Sequence, residues 1–446
     1  MKYIVNFLRI VIGAFFIFSG FVKAVDPVGT SYKNHEYFEA FASVGMQGFW
    51  EQMSAFSLSF AVFMIALEIV AGICLLIGWM PRITVWIFYL MTMFFTLLTG
   101  FTYLSGYSPN ATFGYFACII AFMFLISGAI YNSKYGKAFT FASVVVLLVF
   151  VAMSAFTNTL LTAPFDEAKM KVTDCGCFGD FMKLKPWETF YKDVVLDVLI
   201  FLLVIGYKHI KPIFSVRATH ITTAIASVVT LLFCFSNFAW GLPLIDFRAY
   251  KIGNNIKEQR IALKPEVREM VFVYKNKKTG VNKKFSMEEL NTMNSDDWDY
   301  VSREDNITDP GIPAKIRDFF VNDNDGVDIT DSLLNDPNYS LWIVARKLGE
   351  THADVFTKKL NPLAASCEKA GIKICCLTSG DVDIEDFRHE HQTAYPFYTA
   401  DDTPLKTMIR SNPGLMLIKN GIVIDMWHYM HFPSYEELNA KYFSKK

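Results

Sequence analysis

Apolar residues fall in long, nearly unbroken runs through position 241 and thin out to ordinary alternation with polar residues beyond it. A run of about 18 or more apolar residues is long enough to cross a bilayer as a helix. Seven spans are predicted, at 3–24, 55–79, 83–105, 111–131, 138–160, 192–209 and 218–241. The pair 111–131 and 138–160 also reads as a single re-entrant element, which leaves the sidedness of everything after it unchanged. The first run, YIVNFLRIVIGAFFIFSGFVKAV, carries Lys2 and Arg9 early, as a signal peptide does. It has no small-x-small cleavage site and leads into further spans, so it reads as a retained helix.

After residue 241 the period changes. Residues 242–312 are polar, with one apolar run, EMVFVY (269–274), and read as a linker or insert. IRDFFVNDNDGVDIT (316–330) predicts a hairpin with an Asp-Gly turn. YSLWIVARKL (339–348) and GIKICCLTS (371–379) read as buried strands, with helices over 351–370 and 383–391. NPGLMLIKNGIVIDMWH (412–428) predicts a hairpin turning at Asn420-Gly421, and a final helix is expected near 434–443. The fold class expected is therefore an α-helical transmembrane bundle of about seven helices (1–241), then the insert, then a compact α/β domain of thioredoxin type (313–446).

Sidedness follows from the short loops, because Lys and Arg collect on the cytoplasmic side. Arg82, Lys134, Lys137, Lys208, Lys211 and Arg217 all fall on one side if Lys2 is cytoplasmic. The opposite side then receives 25–54, 161–191 and the whole α/β domain. This predicts a multi-pass protein of the bacterial inner membrane with a periplasmic C-terminal domain. The net charge of -1 gives no basis for nucleic-acid binding. Eight scattered cysteines are too few and too irregular for a disulfide scaffold.

The candidate chemistry sits in VTDCGCFGDF (172–181), within the extracytoplasmic loop 161–191. A disulfide needs Cα atoms about 4.4–6.8 Å apart, near the limit for Cys175 and Cys177 as residues i and i+2, and Gly176 supplies the backbone freedom. So small a ring is strained and easily reduced, a property of exchange-competent disulfides. Asp174 and Asp180 raise the thiol pKa, while Lys171 and Lys183 offset them. A static clip fixing the loop, or bridges to other cysteines, remains open beside the redox reading. A metal site needs about four ligands, and no histidine lies near, so no metal or other cofactor is expected.

Elsewhere, Glu68 is an acid inside a predicted span, costly unless paired or facing the bundle interior. It reads either as a proton or quinone site or as half of an interhelical contact with Arg9 or Lys23. Nothing beyond Glu68 points to a quinone. Cys74, Cys118 and Cys234 read as apolar filler inside helices. Cys367, Cys375 and Cys376 read as core residues of the α/β domain, and His389, His391, His428 and His431 as surface residues.

FSGFVKAVDPVGTSYK (18–33), MIALEIVAGICLLIG (64–78) and DCGCFGD with WETFYKDVVL after it resemble the DoxX and MauE-like membrane redox proteins of the Bacteroidota type. The resemblance covers roughly residues 1–210. It implies a helical bundle that works with thioredoxin-like partners. MIRSNPGLMLIKNGIVIDMW (408–427) is similar to the thioredoxin segment in which a cis-proline precedes a core strand. Pro413, with Asn412 before it, takes that place as a candidate peptide-docking edge. Where thioredoxins carry Cys-x-x-Cys, this chain reads ARKLGETHADVF (345–356). Two functions are therefore expected in competition. One is thiol–disulfide exchange with periplasmic partners through Cys175 and Cys177. The other is a non-catalytic membrane scaffold whose C-terminal domain docks an envelope protein.

Overall fold

The structure is a computed structural model describing residues 1–43, 47–106, 145, 170, 172, 176–182, 184–291, 293–309 and 311–444. The predicted spans at 111–131 and 138–160 lie outside the described residues, as do Cys118, Lys171, Asp174, Cys175 and Lys183. The chain divides into two compact units, Met1–Phe247 and Arg248–Lys446.

The first unit is helical. Its main elements are α1 (Lys2–Val25), α2 (Pro27–Ala42), α3 (Gln47–Ala55), α4 (Ser57–Ile77), α5 (Pro81–Leu104), α6 (Pro186–Gly206) and α7 (Val216–Ser236). Among the described residues four are long and apolar enough to cross a membrane: α1, α4, α5 and α7. The span expected at 192–209 starts earlier, at Pro186, and carries Glu188, Lys192, Asp193 and Asp197, so it is not one of the four. The segment expected as a plain loop, 25–54, holds α2 and α3. Asp26 starts α2 by accepting the Gly29 N–H at 2.9 Å, and Pro27 occupies the first turn, where its missing N–H costs nothing.

Two glycines bring α1 and α4 together. A Cβ on Gly72 would lie 2.9 Å from the Gly13 carbonyl oxygen and 2.7 Å from Ile17 Cγ1. Small residues on a shared seam allow this approach, which is how membrane helices gain packing when lipid is as apolar as leucine. Gly20 likewise faces Glu68 and Ile69, so the two helices run antiparallel. Val5, Ile12, Phe16, Leu75, Phe88, Ile200 and Leu203 fill the space between α1, α4, α5 and α6.

One end of this bundle is closed by Arg9. It is buried and donates from Nη1 to the Lys211 carbonyl at 3.0 Å and from Nη2 to that of Leu76. These are a carbonyl of the last turn of α4 and a loop carbonyl, the kind of group that lacks a donor within its own helix. Trp79 Nε1 donates to His220 Nδ1 at the same end. The CGC loop lies at the other.

The second unit has two sheets. β1 (Val267–Asn276), β2 (Asn282–Ser286) and β3 (Trp298–Asp309) form an antiparallel sheet in the order β2-β1-β3. Residues 242–312 thus carry far more regular structure than their polar composition suggests. The sheet is small and largely solvated, so only a few aromatic contacts, such as Phe285 on Trp298 at 5.0 Å, mark it.

The larger sheet has six strands: β4 (Val321–Asn322), β5 (Tyr339–Val344), β6 (Lys373–Thr378), β7 (Phe397–Ala400), β8 (Gly414–Lys419) and β9 (Ile422–His428), in the order β4-β7-β6-β5-β8-β9. β5, β6 and β7 are parallel, and β8 and β9 return antiparallel on the far side. Both predicted central strands are present, and the final hairpin turns at Asn420 (φ 50°) and Gly421 (φ 74°) as expected. Leu341, Ile343, Phe356, Leu360, Cys367, Cys376, Leu415 and Leu417 form its core, and Trp342 is wholly buried, with Nε1 donating to Ser340 Oγ at 3.1 Å. His428, expected at the surface, is 3% exposed. It ends β9 opposite Gly414, and burial lowers its pKa to about 4, with His431 and His352 adding to the effect.

Candidate functional site: the CGC loop and the polar cluster beneath it

Cys177 begins a tight turn through Phe181, closed by hydrogen bonds from Gly179 N to the Gly176 carbonyl and from Phe181 N to the Phe178 carbonyl, each 3.1 Å. Gly176 holds φ +59°, and a Cβ there would lie 2.9 Å from Lys33 Cγ on α2, so both conformation and space call for glycine. Phe178 is the anchor. It is buried, edge-on to Phe15 at 5.8 Å and tilted on Phe18 at 6.3 Å, both on α1. An apolar ring next to Cys177 thus pins the turn to the bundle. Cys177 is half-buried and carries a free thiol.

Beneath the turn lies a group of charged side chains inside otherwise apolar helices. Glu68, 1% exposed, pairs with Lys23 Nζ at 2.5 Å. Of the two partners the sequence offered for Glu68, the structure selects Lys23, while Arg9 serves carbonyls at the opposite end. Ser19 Oγ lies 3.1 Å from Glu68 Oε2 and 3.2 Å from the Cys177 carbonyl oxygen. A hydroxyl has one proton to donate, so Ser19 serves these two acceptors alternately and ties the loop to the ion pair. On α6, Lys192 Nζ lies 2.6 Å from Asp193 Oδ1 and 5.7 Å from the Phe178 ring centre. Thr99 Oγ1 donates to Asp193 Oδ2 at 3.0 Å, and Thr96 Oγ1 to Asp197 Oδ2 at 2.6 Å, so both acids face α5. Opposite charges at these distances favour each other's ionised form, which is what makes burial tolerable.

The surroundings act on Cys177 in opposite directions. Burial raises its pKa, because a thiolate is poorly solvated there. Lys192 is the strongest opposing influence, followed by Lys23, while Asp193 and Glu68 add to the rise. Asp180 lies on the same turn. Ser19, Lys192 and Asp193 are residues that reading by motif missed, whereas the sequence already offers Lys23 beside Arg9 as a partner for Glu68. For Lys192 and Asp193 the signal was present as charges at the start of a predicted span, 192–209, that the motif reading did not single out.

The second unit holds Asn412 and Pro413 immediately before β8, joined by a cis peptide bond. Asn412 Nδ2 donates to the Lys347 carbonyl at 2.9 Å, and its own carbonyl accepts from His352 N at 3.3 Å. Asp381 accepts the Leu348 and Gly349 N–H groups at 2.7 and 3.0 Å. The segment after β5 is thereby tied down, and it contains no cysteine. Cys367, Cys375 and Cys376 are buried, and burial pushes their thiols up, that of Cys367 to about 11 and that of Cys375 to about 12.

The profile of one protein family, described as methylamine utilisation protein MauE, matches residues 1–112. That range carries α1, α4 and α5, and with them Ser19, Lys23 and Glu68. No curated protein and no solved structure matches the chain. Together with its four apolar helices, the match makes the chain a multi-pass membrane protein with a MauE-like N-terminal part.

Proposed function

We propose that the chain is an inner-membrane thiol–disulfide redox protein that exchanges electrons with periplasmic proteins through Cys175 and Cys177. The observation that carries this reading is the placement of Cys177: a free, half-buried thiol on a glycine-flanked turn, held over a cluster of buried charges. A structural clip needs neither the turn's anchoring to the bundle nor the cations beneath it. The MauE-like N-terminal part supports a redox-related membrane process.

In the reducing direction, the Cys175 thiolate attacks a partner disulfide, and one partner sulfur leaves with its electron pair. Cys177 then attacks the Cys175 sulfur. The Cys175–Cys177 bond forms, the bond between Cys175 and the partner breaks, and the second partner thiolate departs. Two electrons pass from the CGC pair to the partner, and the reverse sequence oxidises a partner dithiol. Cys177 is assigned as the resolving thiol, because burial keeps it protonated until a mixed disulfide forms beside it.

The C-terminal unit is read as a thioredoxin-like module without its own redox pair. Supporting this are its parallel β5, β6 and β7, the antiparallel β8 and β9 beside β5, and a segment directly after β5, 345–356, that holds no cysteine. Its role in this reading is to hold an extended partner peptide near Asn412 and Pro413. Cys177→Ser should trap a partner on Cys175 as a mixed disulfide, seen on a non-reducing gel and lost with reductant, and Cys175→Ser should trap less. Reduced yield of both variants with no trapped partner would overturn exchange in favour of the clip.

A further inference from the structure

Lys192 is the seventh residue of α6, and its Nζ lies 5.7 Å from the Phe178 ring centre and 5.9 Å from that of Phe15. A cation over an aromatic face is attracted by the ring quadrupole. The ammonium is thus held at the seam between the CGC turn and the bundle, beside the residue that follows Cys177. Its neighbour Asp193, 2% exposed, is held from the other side by Thr99.

The charges facing Cys177 can be apportioned by element. From α1 comes Lys23 and from α4 Glu68, paired at 2.5 Å as Lys192 and Asp193 are at 2.6 Å, but Lys23 lies over Phe95 whereas Lys192 lies over Phe178 beside the thiol. From α2, Lys33 packs on Gly176 and pairs with Glu36 at 2.6 Å. Asp180 sits on the turn itself. From α6 come Lys192 and Asp193. Lys192 is the cation whose position is fixed by the ring adjoining the thiol.

We propose that Lys192 is the positioning residue for Cys177, its ammonium stabilising the Cys177 thiolate as it resolves the mixed disulfide, with Asp193 moderating that effect. In the step, Cys177 gives up its proton to water and its sulfur bonds to that of Cys175. The bond from Cys175 to the partner breaks, and the electron pair leaves on the partner's sulfur. Lys192 keeps its protons throughout and acts by charge alone. The inference rests on the exchange reading of the CGC loop, but its physical content, which charges govern ionisation of Cys177, is measurable without any partner.

The test uses the full chain carrying Cys175→Ser in detergent, with iodoacetamide alkylation of Cys177 followed by mass spectrometry from neutral to strongly alkaline pH. Lys192→Met should slow alkylation roughly tenfold near neutral pH, the change in thiolate fraction that a rise of about one pKa unit produces, and move the midpoint of the profile to higher pH. Asp193→Asn should do the opposite, raising the rate, and Lys192→Arg should restore the parent profile. A role confined to packing would move both neutralising variants in the same direction, or change the high-pH plateau alone, and either result overturns the proposal. If Lys192→Met fails to fold, Asp193→Asn and Lys192→Arg still decide it: a slower Asp193→Asn, or an arginine variant with a shifted midpoint, rejects it. Opposite shifts in the two neutralising variants, combined with no partner trapped by Cys177→Ser in cells, would sink the exchange reading and leave the Lys192 assignment standing.

Discussion

Cys177 and Cys376 are both free thiols in one chain, and they face contrasting surroundings. Cys376 lies in β6, wholly buried among Ile343, Leu360, Phe397 and other apolar side chains, and its thiol is pushed well above the usual range by burial and by the neighbouring Cys375. Cys177 is half-buried at the mouth of the helical unit and also raised by burial, but Lys192 and Lys23 act against the rise. Burial alone silences a thiol. Partial burial beside fixed cations leaves one that can be called on when a mixed disulfide arrives. The helical unit holds the Lys23–Glu68 and Lys192–Asp193 pairs under the loop, whereas pairs of the sheet unit such as Asp354–Lys358 and Lys278–Asp297 are exposed.

The sharpest way to break this contrast is to label thiols in the folded chain. A small alkylating reagent should reach Cys177 directly, but Cys375 and Cys376 only through opening of the sheet core. If that opening costs a sizeable part of a typical folding free energy, the rates differ by about a thousandfold or more. Comparable rates at Cys376 and Cys177, measured by peptide mass spectrometry, would show the core to be open and the comparison empty.

Next in size is the Lys23–Glu68 pair. Lys23→Met should destabilise the helical unit by roughly 3–5 kcal/mol, because it leaves a buried carboxylate unpaired. Lys23→Met with Glu68→Leu should recover most of that loss. Denaturation in mixed micelles, read by intrinsic fluorescence, measures both. Equal losses in the single and double variants would mean that the pair is not coupled as described. Gly72→Val tests the seam beside it: the added atoms meet Ile17 and the Gly13 carbonyl, and overpacking should cost about 1–3 kcal/mol in the same assay.

The smallest effect is expected in the sheet unit. His428 is held neutral by burial, with its pKa lowered to about 4 from 6.5. Its contribution to stability is complete above the unfolded value and is lost as pH falls from about 6.5 towards 4, by roughly 1–2 kcal/mol after allowance for solvent. Protection factors of the β8 and β9 amides in the full chain, exchange rates divided into their intrinsic values at each pH, should fall over that window, and His428→Gln should flatten the dependence. Protection factors that do not change between pH 7 and 4.5 would contradict the burial of His428.

Much of this architecture was legible along the chain where periodicity was strong. The spans that became α1, α4, α5 and α7 are continuous apolar runs. The strands β5, β6, β8 and β9 are apolar stretches bounded by turn residues, with Asn420-Gly421 marking the hairpin. The three-stranded sheet of 267–309 was not legible, because a small sheet with solvent around it has little apolar alternation to betray it. His428 was misplaced for a related reason: its burial comes from pairing with β8 and from the turn after it, neither visible in a spacing rule. The site was half legible. The CGC motif stands out, and so does Glu68 with Arg9 and Lys23 as its candidate partners, but the meeting of Ser19, Lys23, Glu68, Lys192 and Asp193 joins residues from three helices far apart in sequence.

The central claim is that the CGC pair cycles between dithiol and disulfide while the other cysteines do not. Differential alkylation of membranes tests it most directly: free thiols are blocked with one reagent, disulfides are opened with mild reductant, and the released thiols are marked with a second. The account predicts that Cys175 and Cys177 divide between the two labels and pass wholly to the first after brief reduction before blocking. It also predicts that Cys367, Cys375 and Cys376, scored after denaturation, carry only the first label. A Cys175–Cys177 pair that remains fully oxidised through mild reduction, or one that never takes the second label, would contradict it.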